Sequence, residues 1–188
     1  MKPSLFFVLS AVLCFALVSA LSAQQATPPK HVEVPTIEAR SIDVSTIDGV
    51  MKAFYEVISG PVGQPRQWSR DRTLYIPDIR FVAMSEDKDG KAKAHVVTHQ
   101  QFVDMADPQM VKEGFYETEL NRVTQSFGHI AHVFSTYETR AKAGGPVSGR
   151  GINSVGLFYD GKRWWIASVC WDDERPDNPI LPDYLPKQ

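Results

Sequence analysis

Few side chains in this 188-residue chain stand at spacings that could do chemistry. Asp172 ends the apolar strand pattern Arg163–Trp171. In an apolar setting, desolvation raises a carboxyl toward neutral pKa and fits it for general-base work. At a strand end, the same residue is solvated or caps the tail. Tyr137 and Asn153 are the groups able to donate hydrogen bonds to an oxyanion developing beside it. His132 is the other weak catalytic candidate. A histidine between apolar strand neighbours most often makes a satisfied core or interface contact. Its acid–base partner would be Glu138, but six strand residues put the two about 20 Å apart. Glu138 pairs more naturally with Arg150 or Arg140.

No spacing gathers a metal site. His95 and His99 straddle an expected strand-to-helix junction, and His129 and His132 are split by a turn. There is no nucleophile elbow, phosphate-cradling glycine loop or dinucleotide fingerprint, so no cofactor is expected. Net charge is −2 with no basic run, which gives nucleic acid no electrostatic footprint.

The N-terminus argues for export. Lys2 precedes the apolar stretch Leu5–Leu21, and the small residues Ala20, Ser22 and Ala23 come just before Gln24. That order of charge, apolar stretch and small-residue site is a secretory signal. Residues 1–23 are expected to be removed, with Val18-Ser19-Ala20 as the alternative cleavage site and an uncleaved anchor as the competing reading. The product is expected in the periplasm or outside the cell, with no membrane attachment after cleavage. Cleavage removes Cys14 and leaves Cys170, which cannot form an internal disulfide. Cys170 lies in an apolar run, where a buried structural thiol is the expectation.

Residues 24–44 carry Pro28, Pro29 and Pro35 and read as a linker. Ile47, Val50, Met51, Phe54, Tyr55 and Ile58 then recur at helical spacing, with Ser45 as N-cap and Gly60-Pro61 as the stop. A short helix is expected over Gln67–Leu74. A hairpin follows over Ile79–Met84 and Ala92–Thr98, around Asp87-Lys88-Asp89-Gly90. Thr98 and Gln101 form a capping box for a third helix, which Asp107-Pro108 ends. Strands are expected over Phe115–Ser126, Ile130–Arg140, Gly151–Tyr159 and Arg163–Trp171, and residues 173–188 form a proline-rich tail. Helices before an antiparallel meander make an α+β domain over residues 45–172.

Two stretches carry a family resemblance: Phe127-Gly128-His129-Ile130-Ala131-His132-Val133-Phe134-Ser135-Thr136-Tyr137-Glu138, and Gly149-Arg150-Gly151-Ile152-Asn153-Ser154 with Asp160-Gly161-Lys162-Arg163-Trp164-Trp165-Ile166. They resemble the nuclear transport factor 2-like (NTF2-like), or SnoaL-like, superfamily. The resemblance implies a cone-shaped, curved antiparallel sheet wrapped around the three N-terminal helices. It also implies an apolar pocket and a homodimer through the outer sheet face. It implies no single reaction, since the superfamily holds isomerases, dehydratases, hydrolases, cyclases and non-catalytic binding modules.

Strand alternation, with hairpins centred on Gly145 and Gly161, puts Ser135, Tyr137, Asn153, Val155, Trp164, Ile166, Ser168, Cys170 and Asp172 on one face. His132, Phe134, Trp165, Val169 and Trp171 fall on the other. Both faces are apolar, so both should be covered, one by helices and one by a second subunit. The first face grades from apolar to polar, as a small-molecule pocket does. Its expected ligand residues are Tyr55, Trp68, Tyr75, Ser135, Tyr137, Asn153 and Ser168. Two functions compete: an exported domain that binds a small apolar ligand with no assignable catalysis, and a cofactor-free lyase, isomerase or hydrolase.

Overall fold

A computed structural model describes residues 31–187. The expected signal segment and residues 24–30 of the linker lie outside them. The first long helix, α2 (Ile47–Ile58), follows a single turn, α1 (Ser41–Val44). Thr46, one residue after the expected Ser45, caps α2 by accepting from the Gly49 N–H. Val50, Met51, Phe54, Tyr55, Val57 and Ile58 are buried, so the helical periodicity marks the core face. The second half of the linker is held in place: the Val32 N–H donates to Asp104 Oδ1 at 2.8 Å, and Val34 is buried.

A short helix, α3 (Trp68–Arg72), leads into the hairpin β1 (Arg80–Glu86) and β2 (Ala92–Thr98). Next comes α4 (His99–Glu113), which starts on the expected Thr98–Gln101 capping box. It does not stop at Pro108. The proline sits inside the helix, where it removes one backbone hydrogen bond. The helix still runs on because Met110 packs against the core. It ends at Gly114, where φ is +76° and a β-carbon would collide with the Ala141 carbonyl.

Four long strands complete the sheet: β3 (Tyr116–Phe127), β4 (Ile130–Arg140), β5 (Gly149–Tyr159) and β6 (Trp164–Asp173). The sheet order is β2-β1-β6-β5-β4-β3. The meander is antiparallel as expected, but the early hairpin joins it through a parallel pairing, Phe81–Val169 to Ala83–Trp171. The sheet is therefore mixed. It is curved and unclosed, with α2 and α4 against its concave face.

The observed register corrects the expected face assignment. On β5 and β6, Leu157 pairs with Ile166 but Gly156 pairs with Ser168, which leaves Ala167 as an extra residue. Such a bulge inverts the alternation beyond it. Val169 and Trp171 turn inward, and Ser168, Cys170 and Asp172 turn outward. The β4–β5 hairpin is also shifted by two residues, so Ser135 pairs with Asn153 and Tyr137 with Gly151. A two-residue shift keeps every side chain on its face.

The chain's own tail covers part of the outer face. The Thr136 hydroxyl donates to the Tyr184 carbonyl at 2.6 Å, and the Tyr184 ring meets Phe134 edge-on at 4.9 Å. Farther along that face, Phe127, Ile130 and Val123 are exposed.

Candidate functional site

Between the concave face and helices α2 and α4 lies a cavity of about 560 Å³. Its apolar wall is built by aromatic residues from separate elements. Tyr75 meets Phe81 edge-on at 5.1 Å, Phe81 meets Phe102 at 5.3 Å, and Phe102 meets Trp171 at 6.1 Å. This edge-to-face order is the arrangement that ring quadrupoles favour. Phe54, Ile58 and Phe115 close the wall.

The polar side of the cavity comes from β3, β4, β5 and β6. Asn153 Nδ2 donates to Glu117 Oε1 at 3.0 Å and to the Tyr55 hydroxyl at 3.3 Å. The Tyr55 and Ser135 hydroxyls lie 2.7 Å apart, and Ser135 donates to Glu119 Oε1 at 2.5 Å. Since the one Ser135 proton goes to Glu119, Tyr55 donates to Ser135. The bonds therefore run in one direction, from Asn153 through Tyr55 and Ser135 to Glu119. On the other side of Asn153, the Tyr137 hydroxyl donates to Asp173 Oδ1 at 2.5 Å. Gly151 opposite makes room for Tyr137, because a β-carbon at 151 would strike its hydroxyl.

Electrostatics follow from this packing. Burial pushes the Glu117 carboxyl up to about 7, opposed by the Asn153 hydrogen bond and reinforced by the charge of Asp173. Burial also lifts Tyr137 well above an ordinary phenol, and its bond to Asp173 adds to the shift. Tyr55 is raised as well, by burial first and then by Glu117.

Of the residues expected in the pocket, Tyr75, Tyr137 and Asn153 line the cavity. Tyr55 and Ser135 stand directly behind them in the hydrogen-bonded chain. Trp68 does not reach the cavity: it packs behind Phe102 and donates its indole N–H to Asp107 at 2.6 Å. Ser168 is exposed on the far side of the bulge. Asp172 also faces outward, where Arg175 Nη1 holds it at 2.6 Å. His132 is exposed on the outer face, 2.9 Å from the Ser154 hydroxyl. Neither Asp172 nor His132 stands in the cavity. The expected oxyanion donors are spent too: Asn153 uses both amide hydrogens within the wall, and Tyr137 uses its proton on Asp173.

The sequence reading missed Glu117 and Asp173. Glu117 and Glu119 stand two apart on β3 and so share one face, a signal present in Tyr116-Glu117-Thr118-Glu119. Asp173 was hidden by the bulge. Among the described residues, no group of three or more His, Cys, Asp or Glu is gathered closely enough to hold a metal ion.

No protein-family model matches the chain, and no curated protein does. Solved structures do resemble it. One is a protein of unknown function with a cystatin-like fold from Nostoc punctiforme, at TM-score 0.51 and 10% identity over 72% of this chain and 92% of that one. Another is a function-unknown protein from Mycobacterium tuberculosis, at TM-score 0.50 and 15% identity over 72% and 75%. An NTF2-like protein of unknown function from Shewanella baltica gives TM-score 0.47 and 13% identity over 69% and 91%. At these identities the likeness is one of architecture alone: a curved, unclosed sheet with helices in its concave face, consistent with the expected cone.

Proposed function

We propose that this chain binds a small, largely apolar molecule inside the cone, and does so in an exported setting after loss of residues 1–23. The observation that carries the binding reading is the cavity itself. Its volume of about 560 Å³ suits a molecule of drug-like size. Its wall is an aromatic array, and its few polar groups converge on one side, which fixes orientation while the rings supply burial. The test is a thermal-shift screen of the full chain against small lipophilic and aromatic compounds, repeated with Phe102→Asp. Binders should raise the melting temperature of the wild type and not of the variant. A screen in which no compound raises it counts against the reading.

A second reading, cofactor-free proton transfer, is favoured by one feature. A carboxyl held at about 7 is matched to general acid–base work near neutral pH. In that reading Glu117 is the general base, the role first expected of Asp172. Its weakness is the lack of free donors for an oxyanion, since Asn153 and Tyr137 already donate to groups in the wall.

A further inference from the structure

We propose that the molecule bound in the cone carries a positive charge: a hydrophobic amine whose ammonium group sits between Glu117 and Asp173 while its apolar body lies on the aromatic wall. This rests on the cavity reading above and names its ligand class.

Three features converge on a cation. The first is the kind of polar group left over. Asn153 and Tyr137 have given their hydrogens to the wall, Arg150 is paired with Glu174, and the Thr139 and Ser148 hydroxyls meet each other, so the groups left over are the carboxyls of Glu117 and Asp173, which when ionised can only accept. The natural complement is a donor.

The second is charge. The neighbouring arginines are all engaged elsewhere. Arg122 pairs with Asp48 and Glu119, Arg140 with Glu138, Arg150 with Glu174, and Arg175 with Asp172 and Glu86. Glu117 and Asp173 have no such partner among the described residues. Asp173 stands exposed at the end of β6, but Glu117 is half-buried. A half-buried carboxyl without a cation is costly to ionise, and a ligand ammonium offsets that cost.

The third is the aromatic wall. Trp171, Phe81 and Phe102 line the same cavity as these carboxyls, and a desolvated ammonium gains from an aromatic face.

The sign of the pH dependence separates a cation from its rivals. Glu117 is faced by Asn153 and Arg150 of β5, Tyr137 and Thr139 of β4, Asp173 and Glu174 at the end of β6, and Tyr55 of α2, with Glu119 on its own strand. An ammonium needs the ionised carboxylate, so its binding weakens as pH falls through 7. A carbonyl ligand needs the protonated acid as donor, so its binding strengthens over the same range.

The test uses calorimetry on the full chain with three matched probes: 4-phenylbutylamine, 4-phenylbutanol and 4-phenylbutyrate. The amine should bind at least about tenfold tighter than the alcohol at pH 8, and the carboxylate weakest of all. From pH 8 to pH 6 the amine should lose about tenfold, because a group titrating near 7 goes from about nine-tenths to one-tenth ionised. Glu117→Gln should remove that loss and bring the amine close to the alcohol. If the alcohol equals the amine, or the carboxylate binds tightest, the charge inference is overturned while the cavity reading stands. If no probe binds at either pH, the cavity reading fails and this inference with it.

Discussion

Two clusters, one in the core and one at the edge of the cavity, each join a carboxyl to a tyrosine, and they are built for opposite ends. In one, Asp71 accepts from the Tyr75 hydroxyl at 2.9 Å and from His99 Nε2 at 2.7 Å. Asp71 is 1% exposed, and rings pack over the cluster, with Phe81 6.1 Å from the His99 imidazole. Both carboxyl oxygens are engaged, and the hydroxyl of Tyr75, which lines the cavity, is held by Asp71. In the other, Glu117 and Asp173 each take one bond from the wall and keep capacity to spare. Burial alone therefore does not mark a site. A site is a polar group at a cavity wall whose hydrogen bonds are left incomplete on the side where the cavity opens.

That contrast predicts where substitution damages the fold and where it damages binding. The largest effect belongs to the closed cluster. Asp71→Ala strands the His99 imidazole and the Tyr75 hydroxyl without their acceptor. Removing one partner from such a buried set costs about 3–5 kcal/mol. Denaturant unfolding of the variant should show a loss of that size. A loss under about 1 kcal/mol would mean that the cluster is looser than its geometry.

Glu117→Gln should behave in the opposite sense. The folded carboxyl titrates near 7, above its ordinary 4.5. Between those values the folded state holds a proton that the unfolded state has released, so the Glu117 contribution falls as pH rises through this window. Glutamine keeps the shape and removes the titration. Relative to the wild type, the variant should therefore gain roughly 1–3 kcal/mol between pH 4.5 and pH 8. Unfolding curves for both proteins across that range give the difference directly. A flat difference would place Glu117 in water rather than in the cavity wall.

Much of this architecture was legible before any coordinates. The apolar positions from Ile47 to Ile58 have a helical period because one face packs on the sheet, and Thr98 with Gln101 caps α4 by a strictly local contact. Such signals survive in sequence because they involve neighbours along the chain. The parallel pairing of β1 with β6 does not, since Phe81 and Val169 are brought together only by the whole fold. The site was legible by half for the same reason. Tyr137, Asn153 and Tyr75 were found from alternation and composition, but alternation carries a face assignment along a strand only while the ladder is regular. Pro108 failed as a stop signal because packing of Met110 outweighs one lost backbone bond.

The smallest expected effect tests that last point about the ladder. Asp172 and Asp173 are neighbours with the same side chain, and only the extra residue Ala167 decides which of them faces the cavity. Asp172→Asn loosens an exposed pair with Arg175, a change worth at most about 1 kcal/mol in stability. It should leave 4-phenylbutylamine affinity within about twofold of the wild type, as should His132→Ala on the same outer face. Asp173→Asn keeps an acceptor for Tyr137 but removes a charge from the cavity mouth, so it should weaken the amine severalfold while sparing the alcohol. Charge–charge coupling through solvent declines with distance and with salt. Repeating the Asp172→Asn measurement at higher ionic strength therefore separates a diffuse effect of any nearby carboxylate from a contact made by one. A greater loss for Asp172→Asn would mean that the alternation runs unbroken through β6, and equal losses that the site senses only total charge. Unequal losses, with Asp173 the greater, are what a bulge at Ala167 requires.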